Sequence, residues 1–317
     1  MERSRNQVQS CEEETALETV TLKVGNSIKE RRIDKYLHGR FSNFSRVMLQ
    51  NVIKAGGVKV NGKLVKPSFR LSSADEIELS LPELPSKEIE PEEIPLEIIY
   101  EDEDIIVLNK QPDILVHPAR GNTHGTLVNA LAFYSDKLSS GLGEFRPGII
   151  HRLDKNTTGI MVVAKNDIAQ WKIAKQFENR EINKGYLAMV HGVPELTADR
   201  INAPLGVHPK IREKYSIRPE VGKEAVTFYE VLEEFRGFSL LGLTPRTGRT
   251  HQIRVHLSAI GYPVVGDKVY GIKSPYLLRQ FLHACRLGIK HPSTGEYVEF
   301  SSTLPPDLEQ ALGFIAQ

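Results

Sequence analysis

The sequence predicts an α+β protein in which a small basic module precedes a larger domain with a mixed, mostly antiparallel sheet and flanking helices. From about residue 93 onward, strand-like runs outnumber helical runs and are interspersed with them, as is typical of α+β domains. The charge is also divided along the chain. Residues 23–70 hold twelve Lys or Arg against two acids, whereas residues 87–104 hold nine acids against one Lys. The boundary falls in the Pro- and Glu-rich stretch PELPSKEIEPEEIPLE.

The basic module is predicted to contain two short helices followed by a small sheet. Ile33, Leu37 and Phe41 recur at helical spacing. A second helical run, SRVMLQNVIKAGG, starts at a candidate N-cap, Ser45, and stops at the Gly56–Gly57 pair. The next stretch, VKVNGKLV, contains an Asn-Gly pair that indicates a tight hairpin, and DEIELSL reads as a closing strand.

The chain is therefore predicted to have four parts. They are a loosely ordered tail (residues 1–23), the basic module (24–84), a linker (85–95) and a second domain (96–317). The cationic footprint of the module suits a phosphate backbone and indicates a nucleic-acid partner. A solvated surface is the alternative, and the large excess of basic residues over acids disfavours it.

The cysteine content indicates a reducing compartment. Only Cys11 and Cys285 occur in 317 residues, and no CxxC pair is present, which argues against a disulfide framework and against a cysteine zinc site. No apolar run approaches the ~20 residues of a membrane span, and the N-terminus lacks the apolar core of a secretory signal. We expect a cytoplasmic monomer with no membrane partner.

The second domain is predicted to mix strands and helices. EIIYEDEDIIVLNK has two strand-like runs around an acidic turn. TLVNALAFYSDKL and DIAQWKIAKQFENRE have helical periodicity, and the second begins at a candidate N-cap, Asn166 or Asp167. KGYLAMVHG, EAVTFYEVLEEF and GFSLLGLTP are strand candidates, with turns at Gly192, Gly222 and Pro245.

The stretch HRLDKNTTG, residues 151–159, carries more polar side chains than a turn requires. It holds one carboxylate, Asp154, beside Arg152 and between two apolar runs. The kinase motifs that should accompany His-Arg are absent, a glycosidase would use two carboxylates, and no G-x-S-x-G motif of a serine hydrolase is present. One Asp acting as a nucleophile or a base, oriented by an arginine, is the interpretation that remains.

The stretch TGRTHQIRVHL, residues 247–257, supplies a candidate for that arginine. Thr250 is a candidate N-cap of a helix that Gly261 ends. Arg254 lies at the margin of the apolar stripe of this helix, where burial requires a carboxylate partner. Asp154 is the candidate partner, and an ordinary exposed position for Arg254 is the alternative.

A metal site in the same stretch is not favoured. His251 and His256 are five residues apart, so they do not share one helical face, and no carboxylate accompanies them. We therefore predict no metal ligands.

These motifs resemble those of the RluA family of pseudouridine synthases. HRLDKNTTGIMVVAK, with RPGII ahead of it, looks like the family signature. The likeness continues in the same order through NKQPDILVHPARGN, GTLVNAL, KGYLAMVHG, GKEAVTFYEV, TGRTHQIRVHLSAIGYPVVGD and YG, over roughly residues 93–305. The basic module resembles the S-four-type RNA-binding module first recognised in a small-subunit ribosomal protein.

The resemblance implies a pseudouridine synthase-like fold and isomerisation of uridine to pseudouridine in RNA, with no cofactor. The essential Asp of the family falls on Asp154, its active-site Tyr on Tyr186, and the Arg paired with the Asp on Arg254. Arg152 falls on the Arg proposed to fill the gap left by an extruded base. The other residues expected to shape the loop or contact RNA are His151, Thr158, Arg249 and His251 in the second domain, and Arg32, Lys35, Arg46 and Lys54 in the module.

The sequence departs from the family pattern at two positions. Thr158 stands where the family usually has Ser, which keeps a hydroxyl. Gly185 stands where the family often has Thr, and a glycine there is expected to loosen the strand just before Tyr186 and to affect the rate of the reaction.

Three functional hypotheses follow. A pseudouridine synthase acting on large-subunit ribosomal RNA is favoured, with transfer RNA as an alternative substrate. A non-catalytic RNA-binding or ribosome-assembly factor would not need Asp154, Tyr186 and Arg254 together. A nuclease or other hydrolase is disfavoured because no carboxylate cluster for Mg²⁺ is evident.

Overall fold

The computed structural model describes residues 18–25, 31–41, 46–81, 89–118, 123–139 and 146–317. The chain divides into two units, residues 1–87 and 88–317, and each has its own hydrophobic core. Both units combine helices with sheets, which confirms the predicted α+β class. No helix in the described part of the chain is long and apolar enough to cross a membrane.

The N-terminal unit contains two helices and small antiparallel sheets. Its elements are β1 (Glu18–Lys23), β2 (Arg31–Arg32), α1 (Ile33–Arg40), α2 (Arg46–Lys54), β3 (Val58–Val60), β4 (Lys63–Leu64), β5 (Arg70–Leu71) and β6 (Glu76–Leu81). The order β1-β6-β3-β4 forms one sheet, and β2 pairs with β5. Ile33 and Leu37, which recur at helical spacing, are fully buried against Leu49 and Ile53 of α2. The predicted N-cap Ser45 lies outside the described residues.

The first strand of the N-terminal unit lies within the residues that were predicted as a tail. Residues 18–23 form β1, which pairs with β6 along its whole length from Glu18 opposite Leu81 to Lys23 opposite Glu76. Val20 and Leu22 are partly buried while Thr21 and Lys23 are exposed. The alternation shows that β1 turns one face towards the interior of the unit. This burial and the pairing with β6 stabilise the strand.

The larger unit is built on a nine-stranded sheet. Its elements are β7 (Glu97–Glu101), β8 (Ile105–Lys110), α3 (Leu127–Tyr134), β9 (Thr158–Ala164), α4 (Asp167–Glu178), β10 (Asn183–His191), β11 (Ala198–Asn202), β12 (Leu205–Val207), β13 (Tyr215–Ile217), β14 (Val226–Phe235), β15 (Phe238–Pro245), α5 (Gln252–Ala259), β16 (Leu282–Lys290), β17 (Tyr297–Ser301) and α6 (Pro306–Ile315). The strand order is β11-β14-β15-β10-β16-β9-β8-β7, with β17 also paired to β16, and β12 and β13 form a separate hairpin.

This sheet confirms the predicted mixed, mostly antiparallel topology. Among the described strands, β9 and β16 run parallel and the other neighbours run antiparallel. The N-cap prediction for α4 is also confirmed at Asn166, whose side chain accepts from the backbone N–H of Ala169 at 2.9 Å.

The second half of the predicted linker is part of the larger unit. Ile89 and Ile94 pack against its core, and the backbone N–H of Glu92 donates to the carbonyl of Asn129 at 3.0 Å. The Asn129 side chain returns a hydrogen bond to the carbonyl of Glu90 at 2.8 Å. The boundary prediction was therefore late by several residues, because an extended Pro-rich segment can still bury alternate apolar side chains.

The register of the central strands brings together the segments that carry the family motifs. His283 of β16 lies opposite Thr158 of β9 on one side and opposite Leu187 of β10 on the other. The start of β9, four residues after Asp154, and the segment around Tyr186 therefore lie in one row across the middle of the sheet.

Gly159 allows the close approach of β9 and β16 in this row. Its φ of 119° is a conformation that L side chains rarely adopt, and a Cβ there would collide with the backbone of Ala284. Gly159 is thus a structural requirement of the loop that carries Asp154.

We predict that Gly159→Ala lowers the free energy of unfolding by at least ~2 kcal/mol, because it adds both backbone strain and a clash with a neighbouring strand. Gly313→Ala is the control. Gly313 lies in α6, and no neighbouring atom lies within 4 Å of the place that an added Cβ would take, so alanine should stabilise that helix by ~0.5–1 kcal/mol. Urea unfolding of both variants measures the difference, and equal stability of the two would contradict the assignment.

Candidate active site

The loop that carries Asp154 is held in place by a buried lysine, Lys110, at the end of β8. Its Nζ donates to three backbone carbonyls, those of Gln111 at 2.8 Å, Lys155 at 2.9 Å and Thr157 at 3.1 Å. Burial lowers the pKa of Lys110 to about 7, and the negative charge of Asp154 acts in the opposite direction. Lys110 therefore fixes the backbone on the C-terminal side of Asp154.

Arg254 joins Asp154 to a second, fully buried carboxylate. Its Nη1 donates to Oδ2 of Asp154 at 2.9 Å, while its Nε and Nη2 form a bidentate pair with Asp267 at 2.7 and 2.9 Å. Asp267 also accepts from the backbone N–H groups of Val269 and Tyr270. Asp267 thus fixes the plane of the guanidinium, which presents one remaining edge to Asp154.

The electrostatics of this cluster favour the charged forms. Burial opposes the charge on Arg254, but hydrogen bonds to Asp267 and the charge of Asp154 outweigh it and raise the pKa of Arg254. Burial also opposes the charge on Asp267, yet the bonds from Arg254 lower the pKa of Asp267. The prediction that Arg254 pairs with Asp154 agrees with this geometry. The role of Asp267 was not predicted, because the Gly-Asp pair at the end of its motif looks like an ordinary turn.

Tyr186 lies on β10 with its ring at the edge of the same cleft. Burial raises the pKa of its phenol, and the nearby charge of Asp154 adds to the effect, so the phenol keeps its proton at neutral pH. The β-bulge between Gly185 and Leu187 lies next to it. A Cβ at Gly185 would come within 3.1 Å of the Arg286 side chain, so the glycine leaves room for that side chain.

His251 faces the other carboxylate oxygen of Asp154. Its Nε2 lies 3.9 Å from Oδ1 of Asp154, and its Nδ1 lies 2.9 Å from the hydroxyl of Tyr270. That hydroxyl accepts from the backbone N–H of Tyr215 at 2.8 Å, and the Tyr270 ring lies under the Arg254 guanidinium at 5.1 Å. Burial lowers the pKa of His251, which favours the neutral ring, although Asp154 acts in the opposite direction.

The predicted N-cap of the helix that carries Arg254 was wrong by one residue. The helix α5 begins at Gln252, and the cap position is His251, which has a left-handed φ of 57° and makes no side-chain cap bond. The Gln252 side chain stabilises this turn by accepting from the Thr247 hydroxyl at 2.7 Å and from the Arg249 backbone at 3.0 Å. This arrangement aims the His251 ring at Asp154.

One open cleft collects six of the eight residues that were predicted in the larger unit. Its lining includes Asp154, Tyr186, Arg254, Arg152, Arg249 and His251. Arg249 is anchored by its Nε, which donates to the carbonyl of Glu224 at 3.0 Å. The cleft therefore combines one carboxylate, one neutral phenol and several cations.

Two of the predicted RNA contacts do not line this cleft. His151 stacks on Phe177 at 4.7 Å, and its Nε2 accepts from the backbone N–H of Val162 at 3.1 Å. Burial lowers the pKa of His151 to about 3, so the ring is neutral. Thr158 is buried, with its hydroxyl 2.9 Å from Nδ1 of His283. Both residues shape the loop because their polar atoms are occupied inside the protein.

Arg152 is exposed at the rim of the cleft. Its Nη1 lies 3.5 Å from Nε2 of His117. Burial, together with the charges of Arg152 and Arg146, lowers the pKa of His117 to about 4, so His117 is neutral and accepts from Arg152. The contact is long and leaves the guanidinium accessible from solvent.

The four basic residues predicted in the module fall into two groups. Arg32 and Arg46 both donate to Asp34, which is fully buried and also accepts from Gln50 at 2.6 Å. Burial opposes the charge on Asp34, but these hydrogen bonds outweigh it and lower the pKa of Asp34. Lys35 and Lys54 are exposed on the helices.

The histidines of the TGRTHQIRVHL stretch do not form a pair of ligands. His256 is buried, with Nδ1 3.0 Å from the Thr227 hydroxyl and Nε2 3.0 Å from the Ala203 carbonyl. Its two nitrogens are thus occupied on the far side of α5 from the Asp154 cleft, in agreement with the spacing argument.

The comparisons with known proteins agree with this geometry. A family model described as RNA pseudouridylate synthase matches residues 104–259, and an S4 domain model matches residues 31–77. The Bacillus subtilis (strain 168) protein named uncharacterized RNA pseudouridine synthase YlyB is 42% identical over 285 residues, which cover 90% of this chain and 94% of that protein. A Zymomonas mobilis protein named ribosomal large subunit pseudouridine synthase D is 41% identical, with 88% of this chain and 92% of that protein covered.

A solved structure of human RNA pseudouridylate synthase domain containing 1 matches with a TM-score of 0.56 and 31% identity, covering 68% of this chain and 87% of that one. These matches confirm the family resemblance and the fold that the motifs predicted.

We predict that Lys110→Met lowers the free energy of unfolding by at least ~2 kcal/mol, because it leaves backbone carbonyls of the Asp154 loop without a donor. Lys268→Met, at an exposed position, is the control and should change stability by less than ~0.5 kcal/mol. Urea unfolding followed by circular dichroism measures both. Equal midpoints for the two variants would show that Lys110 does not anchor the loop.

Proposed function

Because the chain belongs to the RNA pseudouridylate synthase family and isomerises uridine to pseudouridine in RNA, we propose that it acts on large-subunit ribosomal RNA with Asp154 as the catalytic carboxylate. The observation that carries the catalytic assignment is the bond between Arg254 and Oδ2 of Asp154 in a cleft shared with Tyr186. Oδ1 of Asp154 has no contact with Arg254 and faces His251 at 3.9 Å, and this is the oxygen that we assign to the nucleotide.

The reaction breaks the bond from ribose C1′ to N1 of uracil and forms a bond from C1′ to C5. The base must turn between these events, and the proton of C5 is lost while N1 gains one. Asp154 attacks the sugar or the base, or removes a ribose proton, and the geometry is compatible with each role. Arg254 need not deprotonate Asp154, since a carboxyl group is already ionised at neutral pH. Arg254 instead orients Asp154 and supplies a counter-charge.

Tyr186 supports the reaction through its ring and its proton. A flat aromatic ring beside the carboxylate offers a stacking surface for the extruded uracil. Its raised pKa means that the phenol carries its proton in the free enzyme, so it can donate a hydrogen bond but cannot act as a base before RNA binds.

A uridine within structured RNA must leave its stack before it reaches Asp154, at a cost of a few kcal/mol. Arg152 is placed at the rim of the cleft, with one long contact to His117. A planar guanidinium in this position can enter the vacated stack and offset part of that cost.

The N-terminal module supplies RNA affinity that does not depend on sequence. Its S4 domain match and its exposed lysines support phosphate contacts. The side chains of Arg32 and Arg46 are each about 40% exposed while bonded to Asp34. Their bonds to Asp34 therefore hold the remaining N–H groups of each guanidinium in fixed orientations at the surface.

The choice of large-subunit ribosomal RNA rests on relatives. The Zymomonas mobilis protein and a Pasteurella multocida protein that is 38% identical both carry the name ribosomal large subunit pseudouridine synthase D. Mapping of pseudouridines in total RNA from cells with and without the gene tests this choice. Loss of sites in large-subunit ribosomal RNA supports it, and loss confined to transfer RNA would overturn it.

We predict that Asp154→Asn lowers the rate of pseudouridine formation by ~1,000-fold or more, because it removes the reacting carboxylate. Binding of RNA should persist, since Arg254 keeps its bidentate partner Asp267. Asp113→Asn is the matched control. Asp113 is an exposed carboxylate, and it pairs with Lys155 of the loop that carries Asp154. Nucleoside chromatography of digested RNA measures the product, and a near-normal rate for Asp154→Asn would refute the assignment.

We predict that the double variant Lys35→Gln, Lys54→Gln weakens RNA binding and reduces the slope of log K against log salt by ~1.5, as expected for two lost phosphate contacts. These lysines are chosen because neutralising Arg32 or Arg46 would leave Asp34 buried with fewer partners. The charge-matched control is Lys137→Gln, Lys290→Gln in the larger unit. An equal slope for the wild type and the module variant would remove the module from phosphate recognition.

A further inference from the structure

Lys184 is a largely enclosed cation with no assigned role. It lies on β10 two residues before Tyr186, and side chains two apart on a strand share a face. Its Nζ lies 3.4 Å from the carbonyl of Thr247 and 6.0 Å from the centre of the Phe177 ring. Among the described residues, no carboxylate lies within 4 Å of this ammonium.

Three other enclosed cations of this unit have closer or more numerous partners than Lys184. Arg254 has Asp154 and Asp267, Arg279 has Asp307 at 2.7 Å, and Lys110 has three carbonyls. Removing an ammonium from water costs several kcal/mol unless a counter-charge replaces the water. Burial accordingly lowers the pKa of Lys184 to about 8. The folded protein therefore carries a cost at Lys184 that one long hydrogen bond and one distant ring contact offset only in part.

The position of Lys184 indicates what could offset that cost. It lines the Asp154 cleft and also an adjoining cavity, whose lining includes Phe177, Arg246 and one carboxylate, Glu181. The guanidinium of Arg180, in the same cavity, is already engaged by Glu224 at 2.6 and 3.1 Å. An anion that lies between the two spaces would meet the ammonium of Lys184, whose hydrogen bond to Thr247 is long at 3.4 Å.

We propose that Lys184 binds a backbone phosphate of the extruded uridine, so that the cleft has a phosphodiester subsite beside its carboxylate and phenol. The proposal rests on the proposed function, because it requires that an RNA nucleotide enters this cleft. RNA brings one phosphate on each side of the target nucleotide, and a compact ammonium in a half-closed space is a suitable point charge for one of them. The contact would hold the ribose while the base turns.

The first experiment compares Lys184→Met, Lys184→Arg and the control Lys290→Met in the full chain. Lys290 is an exposed lysine of the neighbouring strand β16. With an in vitro transcript of large-subunit ribosomal RNA, Lys184→Met should weaken binding ~10-fold and reduce the slope of log K against log salt by ~1. Lys184→Arg should keep most of the affinity because it keeps the charge, and Lys290→Met should match the wild type.

The second experiment follows the protonation of Lys184 itself. A phosphate contact favours the ammonium, so the pKa of Lys184 should rise from about 8 when the subsite is filled. Binding of the transcript at pH ~8.5 should then take up protons, since the free amine is mostly neutral and the bound amine is charged. Calorimetry in buffers of different ionisation enthalpy measures this uptake, which Lys184→Met should remove and Lys290→Met should leave unchanged.

Uridine 5′-monophosphate and uridine 3′-monophosphate identify which phosphate is bound. One of them should raise the pKa of Lys184, read from the carbon shifts of ¹³C-labelled lysine, while uridine alone should not. The proposal is overturned if Lys184→Met binds the transcript with the wild-type salt dependence and proton uptake, or if it lowers only the rate at saturating RNA. A wild-type enzyme that leaves ribosomal RNA unmodified would instead count against the proposed function, and the same binding tests would then use the RNA that it does modify.

Discussion

The charge-paired unit Asp154–Arg254–Asp267 is the interaction on which the rest of the larger unit depends. It joins three segments that are far apart in sequence: the loop before β9, the helix α5 and the turn after residue 265. Burying such groups is costly, and the cost is offset only because nearly every donor and acceptor is used. Lys110 holds the loop that carries Asp154 through three bonds to carbonyls, and the Tyr270 ring lies under the Arg254 guanidinium. The position of the Asp154 carboxylate therefore depends on several segments of the unit.

Much of the fold could be predicted from the sequence because its signals are local. The helical spacing of Ile33 and Leu37 and the cap at Asn166 depend on neighbours in the chain, and the structure agrees with them. The strand Glu18–Lys23 was missed because a short alternating stretch is ordered only by its partner β6. The start of α5 was misplaced because the left-handed turn at His251 is held by Gln252 through contacts that no propensity describes.

The site was predictable to a different extent. Asp154, Tyr186 and Arg254 were recognised through the family motifs, and residue spacing alone left Arg254 undecided. Asp267, Tyr270 and Lys110 lay inside quoted motifs, yet their roles arise from tertiary contacts with residues 13 to 47 positions away along the chain. Conversely, His151 and Thr158 were predicted to shape the loop or to contact RNA because they are polar and lie close to Asp154 in the sequence. In the structure, their polar side-chain atoms form hydrogen bonds inside the protein.

The buried carboxylate of Asp34 also has a consequence for how the N-terminal module can evolve. Because Arg32 and Arg46 share one enclosed anion, either arginine is tied to the integrity of the helix pair as well as to its surface charge. Lys35 and Lys54 are exposed, and neither is among the residues that donate to Asp34. A change at Lys35 or Lys54 therefore alters surface charge alone, whereas a change at Arg32 or Arg46 also takes a partner from a buried carboxylate.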